Sequence, residues 1–137
     1  MAYSIKEAAE KTCLQPHVLR YYEKEGLLPG ITRTTNGLRR YTEEDLEWLS
    51  LILCLKNTGM SIKQIKEFVE LSMRGAETLK ERCDILREHK KRVEAQIEEM
   101  RQHLDLVTRK INYFTARYQE YVSGTLGDDR ELPIWIK

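Results

Sequence analysis

The sequence of 137 residues lacks the features of a membrane or secreted protein. It has no apolar run close to the roughly 20 residues that a membrane-spanning helix needs, and its first residues lack the apolar core of a signal peptide. Its three cysteines are an odd number, so they cannot all pair in a disulfide framework within one chain. These absences predict a cytoplasmic protein without a membrane partner.

The sequence also lacks the motifs of an enzyme. It contains no phosphate-binding glycine loop, no cluster of metal ligands and no nucleophile motif. His89 and His103 are fourteen residues apart, without the close spacing of zinc ligands, and we expect both to be solvated. We therefore predict no enzymatic activity, no cofactor and no metal site.

The start of the chain instead carries helix signals. Ser4 and Glu7 have the spacing of a capping box, which predicts a first helix that ends near Thr12. Pro16 suits a first helical position, and Gly26 suits the end of the second helix. Two short helices joined by so tight a turn are typical of a DNA-binding helix-turn-helix, whose second helix enters the major groove.

The pattern then changes to that of a β-hairpin. Residues 31–35 and 38–41 are β-prone, and Asn36-Gly37 between them predicts a two-residue hairpin turn. Residues 15–41 carry five basic and two acidic side chains, a net charge of +3, whereas the whole chain carries only +1. A local basic surface of this kind suits the phosphates of DNA.

Residues 19–29 (Leu-Arg-Tyr-Tyr-Glu-Lys-Glu-Gly-Leu-Leu-Pro), followed by residues 37–41 (Gly-Leu-Arg-Arg-Tyr) and Asp45-Leu46, resemble the DNA-binding domain of MerR-type transcriptional regulators. The resemblance implies a winged helix-turn-helix, in which residues 31–41 are the wing. It also implies a second pair of helices, and the sequence has capping boxes for both, at Thr42 with Asp45 and at Ser61 with Gln64.

The predicted DNA contacts come from the second helix, the wing and the end of the third helix. We expect the second helix to reach the major groove, and the wing with Tyr41 to grip the backbone. The resemblance implies a phosphate contact for Lys56. Leu19 and Tyr22 suit the core as well as they suit DNA, Tyr41 could instead anchor the wing, and Arg33 or Arg40 could be solvated. The residues predicted to bind DNA are His17, Arg20, Tyr21, Arg33, Asn36, Arg39, Tyr41 and Lys56.

From residue 79 to 121 the apolar positions recur every 3.5 residues, interrupted only by Lys90, which predicts a coiled coil. A helix over residues 76–121 would be about 70 Å long, too long to bury its apolar stripe on so small a domain, so it needs a partner helix. The simplest partner is a second copy, in a homodimer. The seam residues predicted to meet at this interface are Leu79, Cys83, Leu86, Val93, Ile97, Met100, Leu104, Val107, Ile111, Phe114 and Tyr118.

The predicted fold class is therefore mostly α. A winged helix-turn-helix domain with a small β-hairpin wing occupies residues 1–75, a dimerisation helix residues 76–121, and a short tail residues 122–137. The resemblance adds that the dimerisation helices pair as an antiparallel coiled coil. It implies double-stranded promoter DNA and RNA polymerase as partners, and a mechanism in which the dimer bends and untwists an overlong promoter.

The three cysteines receive different interpretations. Free cysteine commonly behaves as a small buried hydrophobe, and we expect this of Cys13 and of Cys83. The stretch around Cys54 resembles the aldehyde- and electrophile-responsive branch of the family, which implies that Cys54 is the sensor thiol. Burial of a plain thiol beside Leu53 and Leu55 is the alternative.

Two other functions remain open, and a third, metal sensing, is poorly supported. A metal sensor of this family would use further thiols after the dimerisation helix, but residues 104–137 contain neither cysteine nor histidine. A regulator could instead bind an apolar or cationic ligand through Tyr113, Phe114, Tyr118 and Trp135. A coiled-coil protein could also bind DNA as an architectural factor, without activating transcription.

Overall fold

The computed structural model describes residues 2–127 and is mostly helical, as predicted. Its helices are α1 (Ile5–Thr12), α2 (Pro16–Lys24), α3 (Glu43–Asn57), α4 (Ile62–Met73) and α5 (Leu79–Ser123), with a short 3-10 helix over Gly75–Thr78 before α5. Its strands are β1 (Ala2–Tyr3), β2 (Thr32–Arg33) and β3 (Arg39–Thr42). Most of the predicted tail, including Trp135, lies outside the described residues.

Three capping boxes fix where α1, α3 and α4 begin. The hydroxyls of Ser4, Thr42 and Ser61 each accept a hydrogen bond from the backbone N–H three residues on. The side chain at that third position in turn accepts from the backbone N–H of the cap. Each pair satisfies two amides that the first helical turn would otherwise leave without a partner, so the sequence signal for these helix starts is confirmed.

The strands form a three-stranded antiparallel sheet in the order β1-β3-β2. The sequence did not predict β1, because a strand of two residues carries no alternating pattern. The predicted two-residue turn at Asn36-Gly37 was wrong. The Gly37 N–H donates to the Thr34 carbonyl at 2.9 Å, and the Thr34 N–H donates to the Leu38 carbonyl at 2.7 Å. Residues 35–37 therefore form a three-residue loop, and Gly37, with φ +79°, takes its left-handed position.

The described chain divides between Val93 and Glu94 into two compact units. The core of the first unit comes from every helix up to α4 and from the sheet. Leu19 and Tyr22 of α2 are 0% and 1% exposed, so both belong to the core.

The beginning of α5 also packs on this core, through Ile85 and Leu86. His89, one turn further along the same face, is 7% exposed. The prediction that His89 is solvated was therefore wrong. Leu86 is partly buried within its own chain, where it packs against this core.

The second unit presents a long apolar stripe on the surface of α5. Its seam residues are between 41% and 68% exposed, which is unusual for such large side chains. They are Ile97, Met100, Leu104, Val107, Ile111, Phe114 and Tyr118. None of the helices described for residues 2–127 is both long and apolar enough to cross a membrane.

Candidate nucleic-acid interface

One face of α2 exposes three of the residues predicted to contact DNA. His17, Arg20 and Tyr21 are exposed, and their spacing of three and four residues puts them on the same side of the helix. The opposite face buries Leu19 and Tyr22, which fixes the rotation of α2 about its axis. The structure thus brings together the residues that we predicted would enter the major groove.

A single carboxylate of α2 holds both strands of the wing. Glu23 accepts a hydrogen bond from Arg33 Nη2 at 3.3 Å and pairs through its other oxygen with Arg39 Nε. Arg33 Nη1 also donates to the Gly37 carbonyl at 3.0 Å, so its guanidinium spans the hairpin. The side chains of Glu23 and Arg39 are only 19% and 24% exposed. Sequence reasoning counted Glu23 only as a negative charge and missed that it orients the two wing arginines.

Two further contacts fasten the same part of α2 to α3 and α4. Lys56 Nζ donates to the Tyr22 hydroxyl at 2.8 Å and lies 5.2 Å from the centre of that ring. Lys66 Nζ pairs with the Glu25 carboxylate at 2.7 Å. This hydrogen bond is the main reason that the pKa of Glu25 is lowered and that of Lys66 is raised. Lys56 is exposed, as a phosphate contact requires, but it is already held by Tyr22.

Tyr41 does not lie with the other residues predicted to bind DNA. Its side chain is 1% exposed, and its covered hydroxyl has no partner among residues 2–127. Burial, the main cause, raises the pKa of Tyr41. The structure contradicts the predicted phosphate contact of Tyr41 and supports the alternative, in which this ring anchors the wing. Asn36 at the wing tip and Arg40 on β3 are exposed.

All three cysteines are exposed within the chain. The expected burial of Cys13 was wrong, because this residue ends α1 in the left-handed conformation, with φ 58°, and its side chain lies at the surface. Cys83, also expected to be buried, is exposed within the single chain. Cys54 lies on the last turn of α3, between the buried Ile52 and Leu55, but is itself exposed. The alternative prediction, a buried Cys54 thiol, was therefore wrong for the single chain.

Three of the four residues predicted to bind a ligand on α5 lie within the described range. Phe114 and Tyr118 line a surface groove on this helix, and Tyr113 contacts Phe114 edge to face with 5.6 Å between ring centres. Trp135, the fourth predicted residue, lies outside the described range. Residues 2–127 contain no group of three or more histidine, cysteine, aspartate or glutamate side chains placed to hold a metal ion.

Known families and structures match this arrangement. A model of the MerR HTH family of regulatory proteins matches residues 3–71, and a model described as "MerR, DNA binding" matches residues 46–112. An uncharacterized HTH-type transcriptional regulator of Haemophilus influenzae is 46% identical over 83% of this chain and 84% of its own.

Two solved structures share the fold. HiNmlR, a MerR family regulator lacking the sensor domain and bound to promoter DNA, is 45% identical, with a TM-score of 0.78 over 90% of this chain and 94% of its own. A MerR family transcriptional regulator of Bacillus thuringiensis is 37% identical, with a TM-score of 0.77 over 82% of this chain and 99% of its own. These relatives are transcriptional regulators rather than enzymes. The chain belongs to the MerR family of DNA-binding transcriptional regulators.

Proposed function

We propose that two copies of this chain bind promoter DNA in the cytoplasm, distort it for RNA polymerase, and change their output when an electrophile reacts with Cys54. One observation carries the DNA-binding part of the proposal. The exposed face of α2, with His17, Arg20 and Tyr21, is fastened beside the wing by Glu23. A reading helix and a backbone-gripping wing in fixed relation are what a winged helix-turn-helix needs.

In this proposal the side chains of α2 read bases and the remaining cations hold the backbone. Arg20 has the planar fork that suits the O6 and N7 atoms of guanine, and His17 and Tyr21 flank it. Arg33, Arg39, Asn36 and Lys56 supply backbone contacts, and the fixed geometry of the two arginines sets where the phosphates lie. The DNA-binding unit then includes residues 1–75 together with the first turns of α5, because Ile85 and Leu86 pack on its core.

The exposed stripe of α5 supports a homodimer. Seven large apolar side chains in a 3.5-residue repeat, each at least 41% exposed, would be costly to leave in water. A second α5 in an antiparallel coiled coil would cover them and present two DNA-binding units to a two-fold operator. The energy of bending such DNA, of order 1 to 6 kcal/mol, would be offset by backbone contacts from both subunits.

The exposure of Cys54 supports the sensing part of the proposal. An exposed thiol can be attacked without prior unfolding, whereas a buried one is commonly inert. With an aldehyde, the sulfur bonds to the carbonyl carbon, the C=O π bond breaks, and the thiol proton ends on the oxygen as a hemithioacetal. No net oxidation occurs, so this step needs no other reactant.

The DNA-binding part is tested with a duplex selected by the protein from a random-sequence pool. Arg20→Ala should weaken binding to the selected duplex by about 1–3 kcal/mol and relax the preference at one base position. Arg87→Ala, which removes an exposed arginine of α5, is the matched control and should leave the affinity unchanged. Equal losses in the two variants would refute the assignment of α2 as the reading helix.

The sensing part is tested on the same duplex with fluorophores at its ends. Cys54→Ser should bind DNA like the unaltered protein but lose the change in DNA bending that an aldehyde causes. Cys13→Ser and Cys83→Ser should keep that change, although these thiols are also exposed. A full response in Cys54→Ser would favour a non-covalent ligand at Phe114 and Tyr118. If the amount of transcript made by purified polymerase is the same with and without the protein, the result would favour an architectural factor.

A further inference from the structure

A buried histidine of α5 is joined to the turn of α3 that carries Cys54. His89 Nε2 lies 2.7 Å from Thr58 Oγ1, and Thr58 Oγ1 donates to the Cys54 carbonyl at 2.6 Å. The Thr58 N–H donates to the same carbonyl at 3.1 Å. Cys54 on α3, Thr58 at the C-cap of α3 and His89 on α5 therefore form one continuous hydrogen-bonded chain within the first compact unit.

The proton positions in this chain follow from the single hydrogen of the Thr58 hydroxyl. The Cys54 and Leu55 carbonyls both lie within reach of that hydrogen, at 2.6 and 3.3 Å from Thr58 Oγ1. With the hydrogen on the Cys54 carbonyl, the His89 tautomer that completes both bonds carries its proton on Nε2 and donates it to Thr58. Nδ1 is then a bare acceptor. It is buried, and it has no partner among the described residues. His89 is 7% exposed, and the bond to Thr58 satisfies one of the two ring nitrogens of this buried side chain.

We propose that Thr58 and His89 are positioning residues that transmit a reaction at Cys54 to α5. This inference rests on the proposed sensor role of Cys54. A group added to Cys54 sulfur displaces the last turn of α3 and moves the carbonyl that orients the Thr58 hydroxyl. A shift of about half an ångström misaligns bonds of this length. His89 then has two unsatisfied ring nitrogens in a buried position, and its ring leaves the contact.

The consequence lies in the place of His89 on α5. Ile85 and Leu86, one turn earlier on the same face, pack on the core of the DNA-binding unit. Loss of the His89 contact therefore loosens the part of α5 that rests on that core. Packed contacts of this kind have discrete alternative arrangements, so a small displacement at Cys54 becomes a change in how each DNA-binding unit is held.

The experiment uses the 137-residue chain with Cys13→Ser and Cys83→Ser, so that Cys54 is its sole thiol, and N-ethylmaleimide as the probe. The Cys54 thiolate adds to the maleimide double bond, a C–S bond forms, and the neighbouring carbon takes a proton from water. Three quantities are measured: the rate of labelling, the bending of the selected duplex, and the ¹⁵N resonances of the His89 ring.

Thr58→Val removes the hydroxyl and keeps the shape. We expect Cys54 to be labelled at an unchanged rate and DNA affinity before labelling to stay within twofold. We expect the bending response to fall at least fivefold and the His89 resonances to stop responding to the label. Thr12→Val is the matched control, because the Thr12 hydroxyl donates to the Ala8 and Ala9 carbonyls at 2.8 and 3.4 Å in the same pattern at the end of α1. It should keep the full response.

Two further variants keep the test decisive if Thr58→Val destabilises the end of α3. His89→Gln places an amide N–H near the position of Nε2 and should keep the response, whereas His89→Leu should lose it. A full response in Thr58→Val or His89→Leu, alongside a lost response in Cys54→Ser, would overturn the coupling and leave the sensor role standing. A full response in Cys54→Ser would overturn both.

Discussion

Replacing Glu23 with glutamine should reduce the ability of the protein to distinguish its operator from other DNA. The change keeps the size of the side chain but removes the charge that holds Arg33 and Arg39. In the proposed complex with DNA those arginines reach phosphates only in positions that Glu23 permits. In the variant they can turn toward any nearby phosphate, while the wing is less firmly held against α2.

The magnitude follows from the exposure of the two ion pairs. The Arg39 side chain is 24% exposed and that of Arg33 is 47% exposed, so both pairs have the modest strength of contacts near the surface. Together they contribute about 1 kcal/mol to wing positioning in each subunit. For a dimer this is about 2 kcal/mol, or roughly a 30-fold loss of specific affinity. Each freed arginine that neutralises a further phosphate should also steepen the dependence of log K on log salt by about 0.9.

The assay is a salt titration of binding to the selected duplex and to a scrambled duplex. We expect the ratio of the two affinities to fall by at least tenfold in Glu23→Gln. Glu47→Gln, an equal change of charge at an exposed position of α3, should raise both affinities slightly and preserve their ratio. An unchanged ratio in Glu23→Gln would show that Glu23 does not position the wing.

Three further outcomes are expected. Leu104 is a 61% exposed residue of the predicted seam, so a charge in Leu104→Asp should prevent the helices from pairing and give a monomer in sedimentation experiments. Gln102→Asp, an exposed control two residues away, should remain dimeric. Thr42→Ala should lower the free energy of unfolding in urea by about 1 kcal/mol, through loss of the α3 cap, and a change below 0.3 kcal/mol would contradict the role of that cap. Lys66 lowers the pKa of Glu25 from its ordinary value of 4.5, so this ion pair stabilises the folded protein above pH 4.5, and that stability is lost as the pH falls through the lower pKa of the folded state. The melting temperature of Lys66→Met should therefore fall less over that pH interval than the melting temperature of the unaltered protein. Parallel curves for the two proteins would refute this.

The sequence predicted the helices because their signals are local. A capping box needs only four consecutive residues, and the boxes at Ser4, Thr42 and Ser61 all form as expected. The position of the wing was also predictable from β-prone residues. Its loop was not, because Asn36-Gly37 suits both a two-residue turn and a three-residue loop with glycine in the left-handed position.

The contacts that organise the candidate site could not be predicted, because they join residues far apart in the chain. Glu23 meets Arg39 sixteen residues away, and Glu25 meets Lys66 forty-one residues away. His89 looked like a solvated member of a charged helix until the structure placed its face against the core. Free cysteine is commonly buried, which suggested that Cys13 would be buried, but Cys13 lies at the surface at the end of α1.

The attachment of α2 is uneven along its length, and this bears on how such regulators diversify. Tyr22, Glu23 and Glu25, at or just beyond its C-terminal half, carry its side-chain hydrogen bonds to the wing, α3 and α4. His17 and Arg20 carry none of those links. A lineage could therefore exchange these outward side chains, acquire a new operator, and retain a chain that folds as well as its ancestor did.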